Sequence, residues 1–363
     1  MLLNLKHKIY VTLFFIAFFA SNLNAQVLDP EIEEKVSALL AQMTLEEKVG
    51  QMTQIDVGVV TVMNGQDVDQ PFDMARLEDA IISHHVGSIL NAPSTPNNKA
   101  QSIEKWRNIT QTIRAMAART RLKIPIIYGI DAIHGATYTQ NSTLFPQAIN
   151  MAATFNRDLS FKEGEITARE VKASGIDWNF SPVMDIGRQP LWPRLWETYG
   201  EDVYLASSLG SAFIEGHQSN DLSAADKAPT CLKHYVGYSF PINGKDRTPT
   251  SIGERMLREI FLPSFEAGIN AGAPTIMVNS AEVDGIPGHA NYHYLTTILR
   301  NELGFMGFTV SDWEDIIRLY SRDKVAASPR EAVKMAVMAG VDMSMVPFNF
   351  SFYDLLLDLA QRG

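Results

Sequence analysis

Only one cysteine, Cys231, stands among 363 residues, so an intrachain disulfide and a cysteine-held metal cluster are both excluded. Its apolar surroundings, Ala-Pro-Thr before and Leu-Lys-His-Tyr after, suit a buried structural thiol rather than a reactive one. Positive charge is also scarce: 31 Lys and Arg face 41 Asp and Glu, a formal charge of -10. That balance suits neither nucleic acid nor an anionic membrane surface, so neither is expected as a partner. The chain has no Gly-x-Gly-x-x-Gly turn and no Gly-x-x-x-x-Gly-Lys-[Ser/Thr] loop, the usual marks of dinucleotide and nucleotide sites. Its eight histidines show no His-Glu-x-x-His or comparable spacing, which argues against a metal-dependent hydrolase; no metal or cofactor is expected. Internal repeats and low-complexity linkers are missing as well.

Long hydrophobic runs are confined to the start. Lys6 and Lys8 precede an apolar run from Ile9 to Ala20, followed by Ser21 to Ala25. This is the pattern of a secretory signal, and cleavage is expected after Ala25. The run is too short to span a bilayer comfortably, and no cysteine near Ala25 offers a lipid anchor. A soluble protein outside the cytoplasm, secreted or periplasmic, is therefore expected, and losing Lys6 and Lys8 makes it more acidic still. Residues 26–363 then form one domain, long for an average domain but ordinary for a barrel.

From Val86 onward, short apolar runs rich in branched residues alternate with segments of helical periodicity, as in parallel strands joined by crossover helices. The strand candidates are Val86 to Leu90, Pro125 to Ile130, Asp177 to Met184, Cys231 to Val236, Thr275 to Asn279, Gly307 to Ser311 and Val341 to Val346. Helical stretches between them include Ala100 to Ala118, Leu159 to Ala173, Asp202 to His217, Ser251 to Ala271, Asn291 to Glu302 and Pro329 to Ala339. The segment Thr61 to Asp73 reads as a loop before the barrel proper. Periodicity alone leaves an open doubly wound sheet and a (β/α)8 barrel both in play. The placement of Asp131, Lys233, His234, Ser280 and Asp312 at or just after the ends of apolar runs favours the barrel, which gathers its active-site groups there.

Three stretches carry chemistry. Leu303-Gly-Phe-Met-Gly-Phe-Thr-Val-Ser-Asp312-Trp313 ends a buried strand on a carboxylate beside an indole. An Asp held there can attack an anomeric carbon and the Trp can stack on a sugar ring; equally, Asp312 can simply cap the helix that follows. In Ile124-Pro-Ile-Ile-Tyr-Gly-Ile-Asp131-Ala-Ile-His134, the carboxylate can accept hydrogen bonds from vicinal hydroxyls, while His134 reads as a structural histidine. Lys233 and His234 lie in a strand, where both are costly to bury unless paired or ligand-bound. Neighbouring strand residues face opposite ways, so both can reach one substrate only if the strand is irregular. The third stretch, Asp177 to Asp202, is polar and aromatic; its Trp, Arg and Glu residues suit a carbohydrate cleft or a surface salt-bridge network.

Taken together, Gly-Ile-Asp131-Ala-Ile-His-Gly, Leu144-Phe-Pro-Gln, Asp177-Trp-Asn-Phe-Ser-Pro, Pro193-Arg194 with Glu197 and Gly200-Glu-Asp, Lys233-His234-Tyr, and Gly307-Phe-Thr-Val-Ser-Asp312-Trp resemble glycoside hydrolase family 3. The likeness runs from about Leu39 to the end, with its motifs in the family's order. It implies a (β/α)8-like, TIM-type barrel and a retaining, exo-acting β-glucosidase that removes terminal nonreducing β-D-glucosyl residues. It further implies Asp312 as nucleophile, and Asp131, Arg194, Lys233 and His234 as ligands of the nonreducing-end sugar, with Trp313 beside it. The expected partner is a β-linked glucoside or oligosaccharide.

Two departures stand out. Many relatives carry a tyrosine where this chain has Ser280, so a hydrogen bond to the nucleophile is expected to be lost or supplied by a neighbour. In such β-glucosidases the acid/base comes from a second domain after the barrel, and is expected to lie beyond Gly363. The single-barrel β-N-acetylglucosaminidases use a histidine that has no counterpart in Tyr-Val-Gly-Tyr-Ser-Phe-Pro-Ile-Asn-Gly, the loop after His234. A non-catalytic sugar-binding barrel is the competing reading.

Overall fold

The computed structural model describes residues 29–62, 72–93, 100–219 and 221–362. The expected leader, residues 1–25, lies outside them, as does most of the loop 61–73. Eight parallel strands form the core: β1 (Thr53–Asp56), β2 (Ser88–Leu90), β3 (Ile127–Ile130), β4 (Trp178–Asn179), β5 (Cys231–Tyr235), β6 (Thr275–Val278), β7 (Phe308–Val310) and β8 (Ser344–Met345). Ladders run β8-β1-β2-β3-β4 and β5-β6-β7. Bridges Asn179 to Thr230 and Val183 to Lys233 join the two arcs on one side, and Val310 to Met343 joins them on the other. The sheet therefore closes into a (β/α)8 barrel and not an open doubly wound sheet.

The apolar runs anticipate seven of the eight strands. The eighth, β1, reads Thr-Gln-Ile-Asp and lacks an apolar run because its polar side chains are bonded inside: Gln54 Nε2 donates to Ser88 Oγ at 2.7 Å and Thr53 Oγ1 donates to Val49 O at 3.1 Å. Consequently the segment 61–73 is not a loop before the barrel. It follows β1, and Thr61 pairs with Phe72 across its base. β4 is also shorter than the Asp177 to Met184 run: Pro182 has no N–H to give a ladder, and past Asn179 the chain stays beside β5 through the isolated bridge at Val183.

Helices follow the strands around the outside. Before β1 come α1 (Pro30–Gln42) and α2 (Leu45–Gln51). The longer crossover helices are α3 (Ile103–Ala117), α4 (Arg157–Ala173), α5 (Val203–Gln218), α6 (Pro263–Asn270), α7 (Asp315–Ser321), α8 (Pro329–Ala339) and α9 (Ser351–Arg362), and a wide-turned helix, His293–Glu302, links β6 to β7. α8 matches its sequence expectation end for end. Ser328 caps its first turn by accepting from Glu331 N, Pro329 opens it, and Gly340 closes it at φ 117°. The expected single helix from Ser251 to Ala271 is broken into Gly253–Met256, a wide π turn at Leu257–Phe261, and α6. Pro263 is the physical cause: it lacks an N–H and its ring crowds the preceding turn, which a wider turn accommodates.

Inside the barrel, Leu90, Trp178, Phe180, Cys231, Met277, Val310, Met343 and Met345 pack as one buried cluster. Trp178 Nε1, which must find a partner when buried, donates to Thr275 Oγ1 at 2.9 Å. A larger apolar layer lies between strands and helices. The centre is a packed core, leaving the C-terminal rim as the place for chemistry.

Candidate active site

Asp131 directly follows β3, Lys233 and His234 belong to β5, Ser280 comes two residues after β6, and Asp312 two after β7. All stand at the C-terminal rim, and Arg194 reaches the same region from the loop between β4 and α5. β5 is irregular where Lys233 and His234 lie, its register against β6 shifting between Leu232 and Tyr235.

Asp312 is buried, yet ionised. Burial opposes its charge, but the Arg247 guanidinium, the Ser280 hydroxyl and Arg194 outweigh that effect and hold its carboxyl well below the usual carboxylate range. Ser280 Oγ donates to Asp312 Oδ2 at 2.6 Å and Arg247 Nη2 lies 3.5 Å from Oδ1. The serine that stands in place of the expected tyrosine thus makes the bond to Asp312 itself, correcting the expectation that it would be lost or come from a neighbour. Asp312 does not cap α7: Glu314 occupies that position, with no side-chain cap bond, and the Asp312 carboxylate instead accepts from Trp313 N. The Asp312 backbone N–H donates to His289 Nε2 at 3.1 Å. That bond requires a lone pair on Nε2, and burial keeps His289 neutral by lowering its affinity for protons to about 3.

The polar residues around it come in buried pairs. Lys233 Nζ lies 2.5 Å from Asp131 Oδ1, the lysine almost fully buried and the aspartate partly open. His234 Nδ1 and its backbone N–H both meet Asp185 Oδ2, at 2.8 and 3.0 Å. Burial raises Asp185 to about 8, and burial together with the Arg194 charge depresses His234 well below the usual range. One proton shared between a neutral imidazole and this carboxyl satisfies both directions, leaving Nε2 of His234 for another partner. Asp185 Oδ1 has no hydrogen-bond partner. Arg194 meets Glu197 through Nε at 2.7 Å and Nη2 at 2.8 Å. This two-pronged pair is largely buried and is not an exposed surface network. The Arg194 guanidinium also lies 5.7 Å from the centre of the Tyr238 ring. His134 Nδ1 lies 3.0 Å from Phe145 O, a contact that fits the structural reading. Trp313 is half-buried and meets Phe348 edge-on at 5.4 Å.

Sequence reasoning missed Asp185, Arg247, His289 and Asp315. Asp185 and Arg247 lie in loops whose charges have no periodic pattern, and their partners are more than thirty residues away in sequence. Among the described residues no group of three or more His, Cys, Asp or Glu side chains is arranged to hold a metal ion. No helix among them is long and apolar enough to cross a membrane.

Residues 44–363 match the family model described as the glycosyl hydrolase family 3 N-terminal domain. The chain belongs to this family. Over 339 residues it is 42% identical to the lysosomal beta glucosidase of Dictyostelium discoideum, spanning 90% of this chain and 41% of that protein. The periplasmic beta-glucosidase of Salmonella typhimurium is 32% identical over 90% of this chain and 39% of its own length. Among solved structures, the exo-1,3/1,4-beta-glucanase of a Pseudoalteromonas species superposes with a TM-score of 0.80 at 30% identity, covering 94% of this chain and 41% of that one. A beta-glucosidase of Listeria innocua in complex with glucose gives a TM-score of 0.78 at 30% identity, over 91% of this chain and 44% of that one. The family 3 chain thus spans about two fifths of the length of these relatives.

Proposed function

We propose that this family 3 barrel binds the nonreducing terminal sugar of a β-D-glucoside and carries the nucleophile of a retaining, exo-acting β-glucosidase. The observation that carries the reading is Asp312: a carboxylate at the barrel rim that stays charged although buried, with Arg247, His234 and Ser280 around it. Attack by one Asp312 oxygen on the anomeric carbon forms a glycosyl ester as the bond to the leaving oxygen breaks, and water later reverses the attachment with net retention. Asp131, Lys233, His234 and Arg194 are assigned to the sugar hydroxyls, and Trp313 to the apolar face of the ring. The Asp131–Lys233 pair supports this, since it offers an acceptor and a donor side by side for vicinal hydroxyls.

A retaining reaction needs a second carboxyl about 5 Å from the first to protonate the leaving group. Asp315 is a poor candidate, because its side chain has no exposed surface. The proposal gives this chain the nucleophile and assigns the acid to the part of the relatives' length that this chain does not span. Relatives named lysosomal and periplasmic support export, with the leader cut after Ala25; N-terminal sequencing of the exported protein tests it.

The test of function uses a leaving group that needs no proton. Incubation with 2,4-dinitrophenyl 2-deoxy-2-fluoro-β-glucoside, followed by intact mass and peptide mapping, is expected to give one glycosyl adduct on the Asp312 peptide and none in Asp312→Asn. No adduct in folded protein that still binds glucose identifies a binding barrel instead. Because relatives include a beta-xylosidase of Formosa agariphila, 33% identical over 88% of this chain, the matching fluoroxyloside serves as the competitor; faster labelling by it would reassign the donor sugar.

A further inference from the structure

Behind Asp312 lies a second carboxylate that the proposed reaction does not use. Asp315 opens α7 with its side chain fully buried. Its Oδ1 lies 3.2 Å from both Arg318 Nη1 and Arg322 Nη1, and its Oδ2 lies 3.2 Å from Arg247 Nη1. The same Oδ2 is in contact with Ser280 Oγ, which also meets Asp312 Oδ2 at 2.6 Å. Arg247 Nη1 contacts that hydroxyl as well.

A hydroxyl has one proton to give and lone pairs to receive. Ser280 cannot donate to two ionised carboxylates at once, so with both charged, one of its two carboxylate contacts would set lone pair against lone pair. A proton on Asp315 Oδ2 removes the conflict, because Asp315 then donates to Ser280 and Ser280 donates to Asp312. We propose that Asp315 is the positioning residue of the nucleophile: a carboxyl that, whenever it holds its proton, commits the single Ser280 proton to Asp312 Oδ2, so that the positioning is strongest on the acid side. This rests on the assignment of Asp312 as nucleophile only for its catalytic meaning; the proton chain itself stands on the contacts.

The groups that face Asp315 fit that role. Burial favours the protonated form, as does Asp312 from the end of β7, while Arg247 from the loop after β5, Arg322, Arg318 and the Ser280 contact oppose it; the outcome is a carboxyl raised to about 6. Arg318 and Arg322 are themselves engaged by Glu314 and Asp323, and His289 stays neutral nearby. The face of α8 that is buried carries Ala332, Val333 and Ala336 and adds no charge.

The test is an infrared pH titration of the whole chain, with labelling by the dinitrophenyl fluoroglucoside read in parallel. Wild type should show a protonated-carboxyl band that disappears around pH 6, separate from Asp185 and Glu163, which titrate near 8. Asp315→Asn should remove it, and Asp312→Asn, by deleting the neighbouring negative charge, should move it down by about one pH unit or more. Ser280→Ala should slow labelling on the order of tenfold, the loss of one hydrogen bond to a charged group. Should Asp315→Asn not fold, Asp315→Glu, which keeps but displaces the carboxyl, supplies the assignment. A band that is absent, or that does not move in Asp312→Asn, overturns the proposal whatever the labelling shows. Failure of wild type to label, with the band behaving as described, overturns the glucosidase reading and leaves the proton chain intact.

Discussion

Arg194 grips Glu197 with two parallel hydrogen bonds in a setting where the carboxylate is almost fully buried. The pair fixes a guanidinium whose charge reaches Asp312, Asp185 and His234. Glu197→Gln keeps the shape but strands a buried cation, which typically costs on the order of 3 kcal/mol. A lower urea midpoint and weaker glucose binding in calorimetry are the expected results; unchanged values in both would show that Arg194 is held by other contacts.

Glu163, on the inner side of α4, has its affinity for protons raised to about 8 by burial. The folded state then binds a proton more tightly than the unfolded chain, whose carboxyl titrates near the ordinary 4.5. Its contribution is fully present below that value and is lost as pH rises toward about 8. Glu163→Gln is expected to flatten this decline, making the variant more stable than wild type on the alkaline side. Thermal melts from mildly acid to alkaline pH provide the comparison, and identical slopes would sink the assignment.

Legibility in the sequence followed the physics of each element. Strands with apolar side chains on both faces, such as β3 and β6, stand out, as does a helix bounded like α8 by Ser328, Pro329 and Gly340. β1 does not, because its buried Gln54 is offset by a hydrogen bond to Ser88, thirty-four residues away. In the site, Asp131, Lys233, His234 and Asp312 are visible as charges at the ends of apolar runs. Arg247 is not: it sits in a polar loop with φ 56°, and only the fold brings it to Asp312 and Asp315. Ser280 shows the opposite limit, since a shorter side chain than tyrosine suggested a missing bond that the close approach of β6 and β7 restores.

Helices α4 and α5 approach through two glycines. A methyl group added at Gly216 would lie 2.0 Å from Phe161 O, and one at Gly164 would lie 2.1 Å from Phe213 O. Both obstacles are backbone, so relief requires the helices to separate. Gly216→Ala is expected to destabilise the protein by about 2 kcal/mol, as overpacking does, read as a lower denaturant midpoint with an unchanged slope.

Cys231 is buried within the barrel and burial pushes its thiol up to about 12. Reaction with a chromogenic disulfide should be undetectable in the native protein and reach one thiol per chain in denaturant. Prompt native reaction would mean that the barrel interior opens.

The closure between β4 and β5 has a consequence for exchange with solvent. There the ladder is carried by isolated bridges at Asn179 and Val183, and side chains clasp across it: Asp131 from the arc of five strands holds Lys233 from the arc of three, and Asp185 holds His234. Amides along this seam should trade deuterium sooner than those within either arc. A sugar engaging Asp131 on one bank and Lys233 with His234 on the other would stitch the two together, so its occupancy would be written in slowed exchange at residues 179–184 and 230–235 before any other part of the barrel.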